Sequence, residues 1–224
     1  MIVISIANPK GGSGKTTRAL LLAEFFARSG KSVCLLDNDP TQNIVHWKRA
    51  REGRGLETPF QIIERTSPDE YDDLLDKWSS EFEICIVDTE GVKDLMASVV
   101  TMSSDLVLIP LQASPMDARN AAAQLSIIRL AERHTKRNIP FRFIFTRVNA
   151  AIATKLFTAI SAEMNGMPVA NTRLVERAAY KHMHEDGALL FELDAAHVSG
   201  LIKAEENALQ LVKEVFEVLI TEAE

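Results

Sequence analysis

The sequence predicts an α/β fold in which a doubly wound, mostly parallel sheet is flanked by helices. Short runs that are apolar throughout, such as residues 84–87, alternate with longer stretches of helical period. Strands covered on both faces lack the alternation of half-exposed strands, and strand–helix alternation with short connections is typical of a doubly wound sheet. The 224 residues suffice for one such domain, so residues 1–224 are expected to form a single domain.

The expected elements follow in order along the chain. Strands are predicted at residues 2–8, 32–37, 60–64, 83–88, 105–110 and 141–148. Helices are predicted at residues 16–29, 41–51, 68–78, 94–102, 117–134, 174–185 and 201–224. Two helix boundaries have local signals. Gly30 is typical of the residue that ends a helix, and Ser67 is a typical N-cap residue.

Composition excludes several classes of protein. The net charge of -6 argues against a uniformly basic nucleic-acid binder, although residues 119–147 are rich in arginine and lysine and contain one acid, Glu132. Cys34 and Cys85 lie in apolar runs and are expected to be buried free thiols rather than a disulfide or a metal site. No apolar stretch reaches transmembrane length and no secretory leader is evident, so a cytoplasmic protein is expected.

A glycine-rich loop, NPKGGSGKTT at residues 8–17, follows the first strand and opens the first helix. Its end fits the Walker A pattern G-x-x-x-x-G-K-[ST], although Pro9 stands where the first glycine belongs. Backbone amides of the loop and the N-terminus of the helix would face a phosphate chain, Lys15 would reach its β- and γ-phosphates, and Thr16 would bind Mg²⁺. A glycine-rich turn without a ligand is the alternative. The expected ATP-binding residues here are Gly11, Gly12, Ser13, Gly14, Lys15, Thr16 and Thr17.

Acidic residues end two of the apolar strands. Asp37 and Asp39 follow VCLL, and Asp88 follows ICIV in a Walker B pattern. Ligands of open α/β sheets bind beyond the carboxyl ends of the strands, so these carboxylates are expected beside the loop, with Asp88 near Mg²⁺. Each could instead cap the following helix, a weaker account for three acids that converge on one loop.

Four segments together resemble the ParA/MinD superfamily of deviant Walker A ATPases. They are KGGSGKTT, LLDNDP, IVDTEG and DLVLIPLQASPMD, which begin at residues 10, 35, 86 and 105. The NPKGGSGKTT loop and the spacing of Asp39, Pro40 and Trp47 are most similar to the small ParF-type proteins that partition plasmids. The similarity extends over most of the chain and weakens beyond residue 149.

The resemblance implies roles for several residues of the site. Lys10 would reach across a dimer to the phosphates bound by the other subunit, as an arginine finger does, although an ordinary loop lysine is the alternative. Asp39 would orient the attacking water, and Asp37 would support the shell of Mg²⁺. The residues expected to frame the adenine, by position, are Arg147 and Asn149, with Pro115.

Two positions depart from the family pattern. Thr41 stands where the family usually has glutamine after Asp-Pro, and Glu90 follows the Walker B segment where proline or a small residue is common. Glu90 is expected to face solvent as a switch residue rather than contact the water. The departures bear on the rate of hydrolysis and leave ATP binding as expected.

The expected partners are nonspecific DNA, a ParB-like or other cargo-adaptor protein and, with ATP bound, a second copy of the chain. The resemblance places the DNA-contacting cations at Arg173, Arg177 and Lys181, and implies association with the nucleoid in the ATP state. A membrane partner is not expected, because helix 201–224 is rich in glutamate. Its apolar residues Leu209, Val212, Phe216 and Leu219 are expected to pack in the core.

Three functions fit these patterns. The first is an ATPase that segregates or positions a plasmid, chromosome or protein cargo. The second is a conjugative-transfer accessory ATPase that recruits relaxase and transfer DNA, and the third is a small-molecule, ligase-like enzyme of the same superfamily. Turnover that depends on DNA rather than on a metabolite would separate the third from the other two.

Overall fold

A computed structural model describes residues 1–8, 13–89, 95–112, 114–148, 162 and 164–222, with the side chains of residues 115–120 left out. Its sheet has seven strands in the order β3-β2-β4-β1-β5-β6-β7, and all paired strands are parallel. The predicted doubly wound α/β class is confirmed. The strands are β1 (Ile2–Ala7), β2 (Val33–Asn38), β3 (Gln61–Glu64), β4 (Ile84–Thr89), β5 (Leu106–Leu111), β6 (Phe141–Val148) and β7 (Leu174–Val175).

Helices cover both faces of the sheet. Those described are α1 (Lys15–Arg28), α2 (Asn43–Glu52), α3 (Pro68–Ser79), α4 (Leu95–Ser103), α5 (Pro115–Thr135), α6 (Ala178–Glu185) and α7 (Leu201–Thr221). Apolar residues of α1, α2, α6 and α7 form one core against the sheet, and α3, α4 and α5 bury theirs on the other face. Because neighbouring residues of a strand point to opposite faces, apolar runs such as 84–87 serve both cores at once.

Local signals set the C-terminal end of α1 and the N-terminal start of α3 where the sequence predicts them. Gly30 adopts a left-handed φ of 84° just beyond α1, a conformation that glycine reaches without steric cost. Ser67 and Glu70 form a capping box at the start of α3, with Pro68 in the first turn.

The predicted helix 174–185 is wrong in its first turn. Leu174 and Val175 instead form β7, which pairs with Thr146 and Val148 at the edge of the sheet, and α6 begins only at Ala178. The pairing depends on residues far apart in sequence, so local helical periodicity could not reveal it.

The expectation that the apolar residues of the last helix pack in the core is wrong for two of four. Val212 and Leu219 are buried, whereas Leu209 is 39% exposed and Phe216 47% exposed. A second apolar stripe, which includes Leu211 and Val215, occupies the buried face instead.

The predicted free, buried thiols are confirmed. Cys34 and Cys85 are both buried and lie opposite each other on β2 and β4. Within the described part of the chain, no helix is long and apolar enough to cross a lipid bilayer.

A buried carboxyl fastens α1 to the segment before α7. Glu24 accepts hydrogen bonds from the backbone N–H groups of Leu190 (2.8 Å) and Phe191 (3.0 Å). Burial outweighs these donors and raises the pKa of Glu24 from 4.5 to about 7. The protonated carboxyl is therefore favoured in the folded protein relative to the unfolded chain.

This shift predicts a pH-dependent stability. Because the folded pKa lies above the unfolded value, the contribution of Glu24 is complete below about pH 4.5 and is lost as the pH rises through about 7. The free energy of unfolding of wild type, relative to that of Glu24→Gln, should fall by roughly 3 kcal/mol across this window. Denaturant titrations of both proteins from acid to neutral pH measure the difference. Parallel curves for the two proteins would refute the assignment.

Candidate functional site

The described end of the glycine-rich loop is shaped by a left-handed glycine and a buried arginine. Gly14 has a φ of 84° and immediately precedes α1. The Arg18 guanidinium folds back and donates to the carbonyls of Gly14 (2.5 Å) and Ser13 (3.2 Å). A Cβ at Gly14 would lie 2.9 Å from Arg18 Nη1 and would displace this guanidinium, and the left-handed backbone conformation itself favours glycine. Thr146 of β6 also donates to the Ser13 carbonyl, at 3.1 Å.

Arg18 is a site residue that sequence reasoning did not identify. It is 1% exposed, and burial lowers its pKa to about 9, so it stays a cation at neutral pH. A lone arginine followed by the apolar run Ala19–Leu22 was the available signal, because such a position on α1 faces the interior.

Lys15 and Asp39 form a buried ion pair. Lys15 Nζ lies 3.2 Å from Asp39 Oδ2, and each residue is 7% exposed. Asp39 Oδ1 accepts two hydrogen bonds from Thr41, from its backbone N–H at 3.0 Å and its hydroxyl at 2.6 Å. Burial by itself would raise the pKa of Asp39, but Thr41 and Lys15 outweigh it and hold the pKa below its usual value. The carboxylate is therefore ionised, and Thr41, the departure from the family pattern, fixes its orientation.

Asp88 lies beside Thr16, as the Walker pattern predicts. Thr16 donates its hydroxyl to Asp88 Oδ2 at 2.9 Å. Burial raises the pKa of Asp88 to about 7, partly opposed by Lys15 and Thr16 and reinforced by the charges of Asp37 and Asp39.

Asp37, near the end of β2, contacts the start of α2 and lies opposite Asp88. Its Oδ2 accepts from the backbone N–H groups of Ile44 (2.9 Å) and Val45 (3.0 Å), so the helix-capping alternative holds for this oxygen. Asp37 also lies opposite Asp88 in the register of the parallel strands β2 and β4. Burial raises the pKa of Asp37 as well.

The two neighbouring acids fit a cation. Within the described residues, Asp37 Oδ1 and Asp88 Oδ1 are buried without a hydrogen-bond partner, which is costly for carboxylate oxygens and favourable beside Mg²⁺. Thr16 supplies a third oxygen. Among those residues no cluster of three or more His, Cys, Asp or Glu side chains could hold a metal by itself, so phosphate oxygens would have to complete the shell.

A cavity of about 240 Å³ opens next to the loop. Gly14, Thr17 and Arg18 form its floor, Arg147 lies at the end of β6, and β7 and α6 supply the remaining wall. Thr17 Oγ1 lies 2.8 Å from His184 Nε2, a contact that ties the loop to α6. Arg147, expected to frame the adenine, therefore lies where a base attached to loop-bound phosphates could fit.

The expected DNA-contacting cations lie around β7 and α6. Arg173 is exposed, and Lys181 forms a 3.6 Å surface ion pair with Glu176. Arg177 and Lys181 line the cavity next to the loop. Two of the three cations, Arg177 and Lys181, thus lie near the candidate nucleotide site.

The segment 119–147, rich in arginine and lysine, is partly neutralised by the fold. Arg137 pairs with Asp105 at 3.6 Å, and Arg142 pairs with Glu222 at 3.3 Å. Both acids lie outside the segment, so its sequence overstates the charge that it presents.

Several predicted site residues lie outside the described residues. They are Lys10, Gly11, Gly12, Glu90 and Asn149; for Pro115 only the backbone is described. Their predicted roles stay predictions.

Comparisons with known proteins agree with this architecture. Residues 1–222 match the family model described as VirC1 protein. Protein ParA of Rhizobium radiobacter is 32% identical over 225 residues, 100% of this chain and 99% of that protein. Maintenance of carboxysome distribution protein A of Halothiobacillus neapolitanus is 25% identical over 194 residues, 86% of this chain and 88% of that protein. In fold, the chain is similar to a Cyanothece McdA variant in complex with ATP, with a TM-score of 0.76, 19% identity and 96% of each chain covered. The chain therefore belongs to the VirC1 family and to the ParA/MinD superfamily of ATPases.

Proposed function

We propose that this chain is a single-domain ATPase that works as a nucleotide-dependent switch. With ATP it dimerises and binds DNA without sequence preference, and in this state it positions a plasmid, chromosome or protein cargo. A ParB-like partner resets it by stimulating hydrolysis. The observation that carries the proposal is the Lys15–Asp39 ion pair, which joins the residue suited to bind phosphate to the residue suited to orient water.

The ion pair suggests how binding prepares hydrolysis. Phosphates that enter the loop compete for Lys15 and draw its ammonium away from Asp39. The freed Oδ2 of Asp39 can then accept a hydrogen bond from the attacking water, while Thr41 holds Oδ1 in place. Binding and catalysis are in this way coupled through one carboxylate.

Thr16, Asp37 and Asp88 would hold Mg²⁺ next to the phosphates. When bound, the ion neutralises charge on the phosphoryl oxygens. Asp37 keeps its orientation through its two hydrogen bonds to the start of α2, so only Oδ1 is available to support the ion's shell.

Nucleotide contacts extend from the loop into the neighbouring cavity. The backbone of Ser13 and Gly14 and the Thr17 hydroxyl lie along the phosphate path, and Arg147 lies in the part suited to the base. Arg18 would support this path, because its guanidinium binds the Ser13 and Gly14 carbonyls and so holds them away from the bound anion.

The proposed dimer depends on Lys10. Its charge would offset the negative charge that develops on the phosphoryl group bound by the other subunit. Lys15 already serves the phosphates of its own subunit, which leaves Lys10 for this role.

Lys10→Ala is expected to bind ATP with unchanged affinity but to lose the rise in mass that ATP causes in wild type. Sedimentation velocity with ATP and Mg²⁺, measured beside titration calorimetry, separates the two properties. Lys77→Ala, a lysine on α3, is the matched control and should behave as wild type. An unchanged ATP-dependent rise in mass, with unchanged turnover, would refute the role.

DNA binding is assigned to Arg173, Arg177 and Lys181. Arg173 and Lys181 are exposed, and the Glu176 partner of Lys181 sits on the surface, where an ion pair exchanges readily for a phosphate contact. The contact between His184 and Thr17 joins the helix that carries Lys181 to the nucleotide loop. This proximity gives ATP a route to influence DNA binding.

A further inference from the structure

Helix α7 carries an apolar stripe that the fold leaves uncovered. We call Ile202, Leu209, Phe216 and Ile220 the α7 stripe; they are 63%, 39%, 47% and 48% exposed. The first three are spaced by seven residues, which places them on one side of the helix. The buried face of α7, which includes Leu211 and Val215, lies next to the stripe around the helix, so the apolar surface of α7 extends beyond the part that the core covers.

A groove runs beside the α7 stripe. It has a volume of about 580 Å³ and is bounded by Leu209 and Phe216 on one side and by Ile2, Phe25 and Ile84 on the other. Ile2 and Ile84 begin β1 and β4, so the groove lies at the amino ends of the strands. The candidate nucleotide site lies at their carboxyl ends, on the opposite edge of the sheet.

Two residues of opposite charge lie on either side of Leu209, at nearly equal distances along the helix. Glu206 precedes Leu209 by three residues and Lys213 follows it by four, so both lie on the same side of the helix as the stripe. Among the residues that the structure describes, neither forms an ion pair within the chain. The pattern is self-complementary only for an antiparallel partner.

We propose that a second copy of this chain docks on the α7 stripe, with the two α7 helices antiparallel. A two-fold axis near Leu209 would place Ile202 of each copy near Phe216 of the other, and Glu206 of each near Lys213 of the other. Closed two-fold contacts use the same patch on both subunits, as this arrangement does. A parallel pair would instead set Glu206 against Glu206 and Lys213 against Lys213, which like charges disfavour.

The charges of α7 argue against a lipid occupant. Around the stripe lie more acids than bases: Glu205, Glu206, Glu214, Glu217 and Glu222 against Lys203 and Lys213. Anionic lipid headgroups would be repelled by this excess. A second copy is not repelled at the stripe itself, because the antiparallel arrangement pairs Glu206 of each copy with Lys213 of the other.

The test is self-association in the absence of nucleotide, which separates this contact from the proposed ATP-dependent dimer. Sedimentation equilibrium of wild type should show a dimer. Leu209→Lys places two like charges at the axis and should weaken the association by about a hundredfold or more. Lys203→Glu, on an exposed flank of α7, is the matched control and should leave the dimer intact.

Charge reversal gives the sharper test. Glu206→Lys and Lys213→Glu should each weaken the dimer by about tenfold, and the double variant should restore it, because opposite charges then face each other again. Both changes are at exposed positions, and circular dichroism checks that each of the three variants folds. A monomeric wild type, binding of lipid vesicles by the monomer, or a double variant no closer to wild type than the single variants would overturn the proposal.

Discussion

Asp39→Ala is expected to lower ATP turnover by about a thousandfold while ATP still binds. The change removes the carboxylate that would accept a hydrogen bond from the attacking water, and no other described carboxylate forms an ion pair with Lys15. ATP affinity should stay the same or rise, because Lys15 no longer has to leave an ion pair to reach the phosphates.

Two measurements check this prediction. Single-turnover hydrolysis reports the chemical step, and titration calorimetry with ATP and Mg²⁺ reports binding. Asp72→Ala, an exposed aspartate of α3, is the matched control and should hydrolyse ATP as wild type does. Turnover within a few-fold of wild type would show that another group orients the water. Thr41→Val, which removes one of the two hydrogen bonds on Asp39 Oδ1, should lower turnover to a smaller extent.

Lys15→Ala is expected to weaken ATP binding by about a hundredfold. The substitution removes a charge-assisted contact to the β- and γ-phosphates worth roughly 3 kcal/mol. The cost is expected to fall on binding itself, since Lys15 would contact the substrate before any bond breaks. Asp39 also loses its partner in a buried setting, so thermal unfolding must show that the variant is folded at the temperature of the assay.

The affinities of wild type and Lys15→Ala are compared by calorimetry, with Lys31→Ala as control. Lys31 is a surface lysine paired with Glu83 and lies at the far end of α1 from the loop. Equal ATP affinities for wild type and Lys15→Ala would contradict the assignment of the loop as the phosphate site.

The fold was largely predictable from the sequence because its signals are local. Apolar runs bounded by turn residues, such as residues 84–87, form buried strands, and each cap or stop, such as Ser67 and Gly30, acts within a few residues. The placement of Thr16 beside Asp88 also followed, since parallel strands bring their carboxyl ends to one edge.

What the sequence did not predict depends on contacts between distant segments. β7 exists because Leu174 and Val175 pair with β6, and the His184–Thr17 contact joins residues of α6 and α1. Helix α7 is apolar on more than one side, and only packing decides that Leu211 is buried while Leu209 is exposed. The contacts of Arg18 were not predictable for the same reason. Periodicity predicts that its position is interior, but it does not predict which carbonyls the guanidinium binds.

The central claim, that ATP switches DNA binding on, is tested most directly with a random-sequence duplex. Fluorescence anisotropy with the Asp39→Ala protein, which is expected to hydrolyse ATP slowly, compares ATP, ADP and no nucleotide at several salt concentrations. Replacing Arg173 and Lys181 together by alanine should reduce the magnitude of the slope of log affinity against log salt concentration by about two. Lys203→Ala should leave this slope unchanged.

The account predicts binding with ATP that is about tenfold or more tighter than with ADP or without nucleotide, and that weakens steeply as salt increases. Equal affinity in all three states, or no binding at low salt with ATP, would contradict it.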